Sequence, residues 1–195
     1  MADIATSESW LWKFYRAEIK RRGISGIEEI EGLDVNRNDL KSAIGNFDFV
    51  HSTGILYHVP NPMHTLHNLA TIAKKYLIVN TVVVPAVMET EFGTLRIPDA
   101  SALFLPALSG KERKIVGAHY RKVAARLDVD RFAPSIDQQE TAVMPYMKDG
   151  EYSCWPWWWL MSHKAFESAV CLLGFELVGR EVWNNHTLKF MLQRR

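Results

Sequence analysis

The chain has 195 residues, 48% of them hydrophobic, 11% aromatic and 23% charged, an apolar share that builds a core and excludes a disordered chain. Its 23 Lys and Arg against 22 Asp and Glu leave a formal net charge of +1, so no global field draws it to nucleic acid or to an anionic membrane. Two cysteines, Cys154 and Cys171, exclude a disulfide framework and a CxxC zinc pair, and point to a reducing cytoplasm.

The length fits one domain with, at most, a sizeable insertion. Residues Met1 to Glu8 carry neither the basic nor the apolar stretch of a secretory signal. The longest apolar run, Tyr76 to Met88, is interrupted by Asn80, Thr81 and Pro85 and falls short of the roughly 18 to 20 residues of a membrane span. A soluble, cytoplasmic protein with no membrane partner is expected.

In chain order, Ser9 to Arg22 reads as a helix, with Leu11, Phe14, Tyr15 and Ile19 at three- and four-residue spacing and Gly23 as its stop. Ile27 to Val35 alternates apolar and acidic residues and predicts a strand. Asn36 to Ile44 predicts a short helix closed by Gly45, and Phe47 to Ser52 a second strand ending at Thr53-Gly54. Asn61-Pro62 opens a helix running to about Lys75, its apolar face made of Met63, Leu66, Leu69, Ile72 and Ala73. Tyr76 to Val84, rich in β-branched residues and almost continuously apolar, predicts a central strand buried on both faces. Strand, helix and strand in that order predict a βαβ unit.

Residues 85–159 differ in character, holding six of the eight prolines and no clear β period. They read as an insertion or lid, with a basic helix from Lys111 to Arg126, carried by a single domain whose core is residues 1–84 and 160–195. Leu160 to Leu173 then predicts a helix stopped by Gly174. Strands Phe175 to Trp183 and His186 to Gln193 are joined by the turn at Asn184-Asn185, so the last strand runs antiparallel to its predecessor. The fold class is α/β, with a mostly parallel sheet and an antiparallel strand at its end.

Ligands of open parallel sheets bind beyond the carboxyl ends of the strands. Among the three such ends readable here, His51-Ser52-Thr53-Gly54-Ile55-Leu56-Tyr57-His58 places hydroxyls, a glycine, a phenol and an imidazole at a strand exit. Small residues admit a ligand to the backbone, while Tyr57 and His58 can orient or deprotonate a substrate.

Phe47-Asp48-Phe49-Val50, followed by Gly54-Ile55-Leu56-Tyr57-His58-Val59 and Asn61-Pro62, resembles the fourth-strand segment of class I S-adenosylmethionine-dependent methyltransferases, in the branch containing tRNA wobble-uridine and small-molecule enzymes. Tyr76 to Thr81 is similar to that family's fifth strand, Trp155-Pro156 through Glu176 to its late helix and sixth strand, and His186 to Gln193 to its antiparallel seventh. The resemblance implies a partial Rossmann-like methyltransferase sheet and methyl transfer from S-adenosylmethionine to a small-molecule or tRNA acceptor; the balanced charge favours the small molecule. For such a transfer, His58 and Tyr57 at the strand exit are the catalytic candidates. For the cofactor the resemblance implies contacts from Asp34 and Val35 near adenine, from Ser52, Thr53 and Gly54 along the methionine portion, and from Asp3 at the ribose.

The family's first strand and glycine-rich loop have no counterpart in the 195 residues, and no GxGxG occurs. In the family's strand order, 3-2-1-4-5-7-6, that leaves the edge of the Phe47 strand open. A homo-oligomer covering the edge is one expected consequence; a non-catalytic methyltransferase-like fragment acting as a binding module is the alternative function. His64 and His67, three apart on a helix, read as a solvated face rather than metal ligands, and no metal is expected. Trp155, Trp157, Trp158 and Trp159 read mainly as packing of the insertion against the sheet. The basic residues of Lys111 to Arg126 read as a solvated helix.

Overall fold

A computed structural model describes residues 10–126, 147–148, 151–152, 157–183 and 186–195. The expected residues Asp3, Cys154, Trp155 and Pro156 and the Asn184-Asn185 turn lie outside these. Five helices are described: α1 (Trp10–Arg22), α2 (Leu40–Ile44), α3 (Pro62–Ile72), α4 (Gly110–Arg126) and α5 (His163–Cys171). The strands are β1 (Phe47–Thr53), β2 (Ala73–Val84), β3 (Val87–Thr90), β4 (Gly93–Arg96), β5 (Ala102–Phe104), β6 (Met147–Lys148), β7 (Glu151–Tyr152), β8 (Trp159–Ser162), β9 (Phe175–Trp183) and β10 (Thr187–Arg194).

The sheet is organised by β2. Its amino-terminal part pairs in parallel with β1, Phe47 opposite Ala73 through Thr53 opposite Asn80. Its last two residues pair in parallel with β8, Val83 opposite Met161 and Val84 opposite Ser162. Antiparallel β10 pairs with residues from Tyr76 to Val82, and β9 closes the sheet antiparallel to β10. Strands β1, β2, β8 and β9 therefore point one way, while β10 and the short β5 beyond β8 point the other. This is the mostly parallel α/β sheet with an antiparallel final strand that the sequence predicts. The order β1-β2-β10-β9 reproduces the expected 4-5-7-6 run.

Two cores form. The larger lies on one face of the sheet, where Leu77, Val79 and Val83 of β2 and Leu188, Phe190 and Leu192 of β10 meet Leu66, Leu69 and Ile72 of α3 and Phe166, Ala169 and Val170 of α5. The Arg194 guanidinium donates to the carbonyls of Ala70 and Ala73 and lies over the Phe175 ring, 4.6 Å from its centroid. It thereby satisfies carbonyls at the end of α3 that have no partner within the helix. The second core belongs to residues 85–159: Met88, Ile97, Leu105, Ile115, Val116 and Tyr120 close around Tyr57, Val84, Trp157 and Leu160.

Several elements depart from the sequence reading. Ile27 to Val35 is not a strand: Gly26 and Gly32 take left-handed φ values of 75° and 64°, which break extension on both sides of Ile30. The helix expected at Asn36 begins only at Leu40, because Asp34 to Arg37 forms a turn in which the Asn36 amide donates to Asp34 Oδ1 at 2.8 Å. The helix of Asn61 stops at Ile72, and Lys74 and Lys75 already belong to β2. Leu160 to Ser162 is strand rather than helix, since Ser162 caps α5 by accepting from the Ala165 amide.

The predicted apolar faces also shift. Phe14 of α1 is 61% exposed while Trp12 is fully buried, so the inward stripe is Trp12, Tyr15 and Ile19. Met63 of α3 is exposed. Strand β2 is fully buried on one face only; Tyr76, Ile78 and Asn80 on the other are half-buried. Helix α4 is not solvated all round, since it buries Ile115, Val116, Ala118 and Tyr120, and the Tyr120 hydroxyl donates to the Val83 carbonyl at 2.8 Å.

Phe190 sits at the junction of β2, β9 and α5, fully buried with its ring 5.2 Å from that of Phe166. Replacing it by alanine leaves a cavity that the paired strands cannot collapse to fill. Phe190→Ala is expected to lower the unfolding free energy by about 3–5 kcal/mol, read as a lower urea midpoint at unchanged slope.

Candidate functional site

The exit of β1 lies beside Asn80, partway along β2, which continues to Val84. The Gly54 amide donates to the Asn80 carbonyl at 3.3 Å, which locks the end of β1 to β2. Gly54 has φ of 72°, a left-handed turn that a side chain would strain, and an added Cβ would lie 3.5 Å from the Tyr57 hydroxyl. Ser52 is buried, and Thr53 Oγ1 lies 2.9 Å from His51 Nε2 on the opposite face of the strand.

From Gly54 the chain enters a 3-10 turn, Leu56 to His58, that turns Tyr57 inward. Tyr57 is 5% exposed; its ring lies 4.8 Å from Trp157 and 4.2 Å from His58. Burial pushes the Tyr57 phenol up to about 12, so it is a neutral group near neutral pH rather than a base. The Trp158 amide donates to the Tyr57 carbonyl at 2.7 Å, fastening the turn to the segment that leads into β8. His58 is half-buried between Tyr57 and the edge of Trp157. Of the tryptophans, Trp157 is buried and Trp158 and Trp159 are half-buried, and Trp159 donates to the Pro60 carbonyl at 3.0 Å. Trp157, Trp158 and Trp159 thus hold their segment against this loop.

The Asp34 turn is held against α3 by a buried polar network. Asn68, 5% exposed, donates to the Val35 carbonyl at 2.8 Å and to the Arg37 carbonyl at 2.9 Å. The Thr65 hydroxyl donates to Asn36 Oδ1 at 2.9 Å, and His64 Nε2 lies 3.0 Å from the Asn36 carbonyl. His64 is therefore a half-buried anchor, contrary to the solvated role read from the sequence, while His67 is exposed. Among the described residues, no three His, Cys, Asp or Glu side chains converge on a possible metal. Asn36 Nδ2 is buried and has no hydrogen-bond partner among the described residues. A buried donor left in this state is costly and marks a place where an acceptor fits.

Sequence reasoning missed Asn36, Thr65 and Asn68. Their signal is present, because Thr65 and Asn68 interrupt the apolar stripe of α3 at positions a helix packed only against hydrophobic groups would fill with carbon. It also missed a cleft of about 290 Å³ beyond the ends of β2 and β8, lined by Val84, Pro85, Ala86, Asp99, Ser162 and His163. The Ser162 hydroxyl there is engaged with the Asp99 carbonyl and the α5 cap. Burial, followed by the charge of Arg180, lowers the His163 pKa; Asp99 and Glu167 oppose the shift.

No family model matches the sequence, and no curated protein matches it. Solved structures do. The N-terminal domain of EvdMO1, determined in the presence of SAH and D-fucose, superposes with a TM-score of 0.50 at 14% identity over 100% of this chain and 64% of that one. A possible exported protein from Bordetella parapertussis gives a TM-score of 0.52 at 12% identity over 99% and 52%. Magnesium protoporphyrin IX methyltransferase from Synechocystis PCC 6803 with bound SAH gives 0.45 at 12% identity over 100% and 63%. The chain thus spans less than two thirds of the length of each. The first two likenesses establish a shared Rossmann-like α/β fold.

Asn68 and His163 each lead to a prediction. Asn68→Ala strands the Val35 and Arg37 carbonyls and is expected to cost about 2 kcal/mol in a chemical unfolding experiment, with the Asp34 turn gaining amide hydrogen exchange. Because the folded protein disfavours protonated His163, its contribution to stability is complete above the ordinary histidine value of 6.5. That contribution is lost as pH falls through the lowered folded value. His163→Gln is expected to flatten this acid limb in a pH series of melting temperatures.

Proposed function

We propose that the chain serves S-adenosylmethionine-dependent methyl transfer to a small-molecule acceptor, with tRNA as the less favoured acceptor, and that the cofactor lies beyond the carboxyl ends of β1 and β2. The observation that carries this reading is the left-handed Gly54 turn locked to β2, at the end of a parallel strand where open sheets take their ligands. The fold shared with the N-terminal domain of EvdMO1, a structure with SAH bound, supports it.

The residues present fit the adenosine end of such a cofactor. Asn36 Nδ2 is a buried donor without a partner among the described residues, for which a ring nitrogen of a nucleobase is a fitting acceptor, and it follows Asp34-Val35 directly in sequence. Ser52, Thr53 and Gly54 offer a backbone without obstructing side-chain bulk. Bound here, the cofactor supplies an electrophilic methyl group on a sulfonium centre. The chain's own part is to position the acceptor and to remove its proton. His58 takes that proton on its imidazole, while Tyr57, kept protonated by burial, orients the imidazole and forms the floor of the acceptor site with Trp157.

One observation favours the second reading, a non-catalytic binding module. Tyr57, Trp157 and β8 fill space above the exit of β1, and that packing stabilises the fold without any cofactor. Titration calorimetry with S-adenosylhomocysteine separates the two. Saturable heat at one site per chain is expected, weakened by Gly54→Val; no heat at high protein concentration overturns the cofactor reading and leaves the module. With binding in hand, His58→Ala is expected to lower turnover on an accepted substrate by about 10²-fold with S-adenosylhomocysteine affinity unchanged. Equal losses in both would argue against a base.

A further inference from the structure

The outer edge of β1 is the feature that the cofactor reading leaves unused. Among the described strands, β1 pairs with β2 alone. Its backbone donors and acceptors alternate in direction, so half of them face away from β2. Phe47 and Phe49 are 42% and 50% exposed, and they share one face with His51 and Thr53, because Val50 and Ser52 are buried on the other.

Exposed strand edges normally carry protection: a proline, an outward lysine, or a bulge that turns the edge away. Here Phe47-Asp48-Phe49-Val50-His51-Ser52-Thr53 contains neither proline nor lysine, and its irregularity is confined to the stretch between Phe47 and Phe49. The single formal charge, Asp48, has Lys75 of β2 at 3.3 Å. A seven-residue strand of this kind accepts another strand.

We propose that the second strand is β1 of another copy of this chain, paired antiparallel about a two-fold axis at Val50. The choice of occupant rests on self-complementarity. In that register Phe49 faces the partner's His51, Phe47 faces the partner's Thr53, and Asp48 faces the partner's Ser52, so no like charges meet. Phe49 and His51 already approach each other within one strand, ring centroids 6.4 Å apart. The two-fold doubles that pair into a four-ring cluster on the exposed face, the kind of aromatic cross-strand contact that stabilises antiparallel pairs. A two-fold axis normal to the sheet keeps like faces together, so the exposed aromatic faces of both copies become continuous.

This pairing stands apart from the proposed methyl transfer, and its test uses no cofactor. Sedimentation velocity of the whole chain from micromolar to submillimolar concentration is expected to show a reversible species of twice the 22.4 kDa chain mass. The F49K/H51K variant sets lysine opposite lysine twice and is expected to weaken the dimer by about tenfold. F49K/H51E sets opposite charges in the same places and is expected to recover most of that loss. Both positions are exposed, and unchanged far-UV circular dichroism verifies that the variants fold. Concentration-dependent protection of β1 amides against hydrogen exchange provides a second readout on the unaltered chain. A monomer at every concentration, or a dimer whose strength is indifferent to both variants, overturns the proposal.

Discussion

Strand β2 is the constraint on which the rest of the structure depends. A 12-residue strand is longer than any of its neighbours in the sheet, and its length lets two strands share one of its edges in series. β1 occupies the first part and β8 the last two residues, while β10 covers the other edge. The main sheet and residues 85–159 therefore meet along a single hydrogen-bonded backbone. The Gly54 amide and the Tyr120 hydroxyl also terminate on β2 carbonyls, at Asn80 and Val83. The candidate site and helix α4 are thus positioned by the same element.

Much of the fold was legible because its signals are local. β1, α3, β9 and β10 follow from period, capping residues and glycine stops, and Asn61 caps α3 as read, accepting from the His64 amide. The elements that differ from the sequence pattern share one physical origin: backbone geometry overrides side-chain periodicity. Alternation at Ile27 to Val35 was defeated by two glycines with left-handed φ. The helix read from Leu160 absorbed β8 because Leu160 and Met161 continue an apolar pattern, while the cap at Ser162 that ends it is a single hydroxyl. Hairpin β3–β4 turns through Glu91-Phe92 into Gly93, whose φ of 124° only glycine readily adopts. That geometry leaves little trace in a hydropathy pattern.

At the candidate site, strand-end position was readable and depth was not. The sequence places His58, Tyr57 and Gly54 at a strand exit. It does not reveal that Tyr57 points into the second core while His58 stays half in solvent, because that depends on Trp157 arriving a hundred residues later. The Asp34 turn shows the same division of labour from the opposite side. Its local geometry is an Asx turn written in Asp34 to Arg37, but its location is imposed by Thr65 and Asn68, polar groups that α3 buries for this purpose. The Tyr57 loop is thus fixed by ring packing together with hydrogen bonds from Trp158 and Trp159, and the Asp34 turn by hydrogen bonds from α3.

The position of β10 has a consequence for how the molecule comes into being. This strand lies between β2 and β9, and its Arg194 binds the carbonyl of Ala73, 121 positions earlier. No intermediate lacking residues 187–194 can join β9 to the sheet or close the far edge of β2. On the ribosome, the β1–α3–β2 unit emerges early with its apolar face unsealed and remains so until those last residues have been made. Such high sequence separation slows folding and prolongs exposure of aggregation-prone strand surface. Completion of the sheet is therefore tied to β10 rather than to the early βαβ unit.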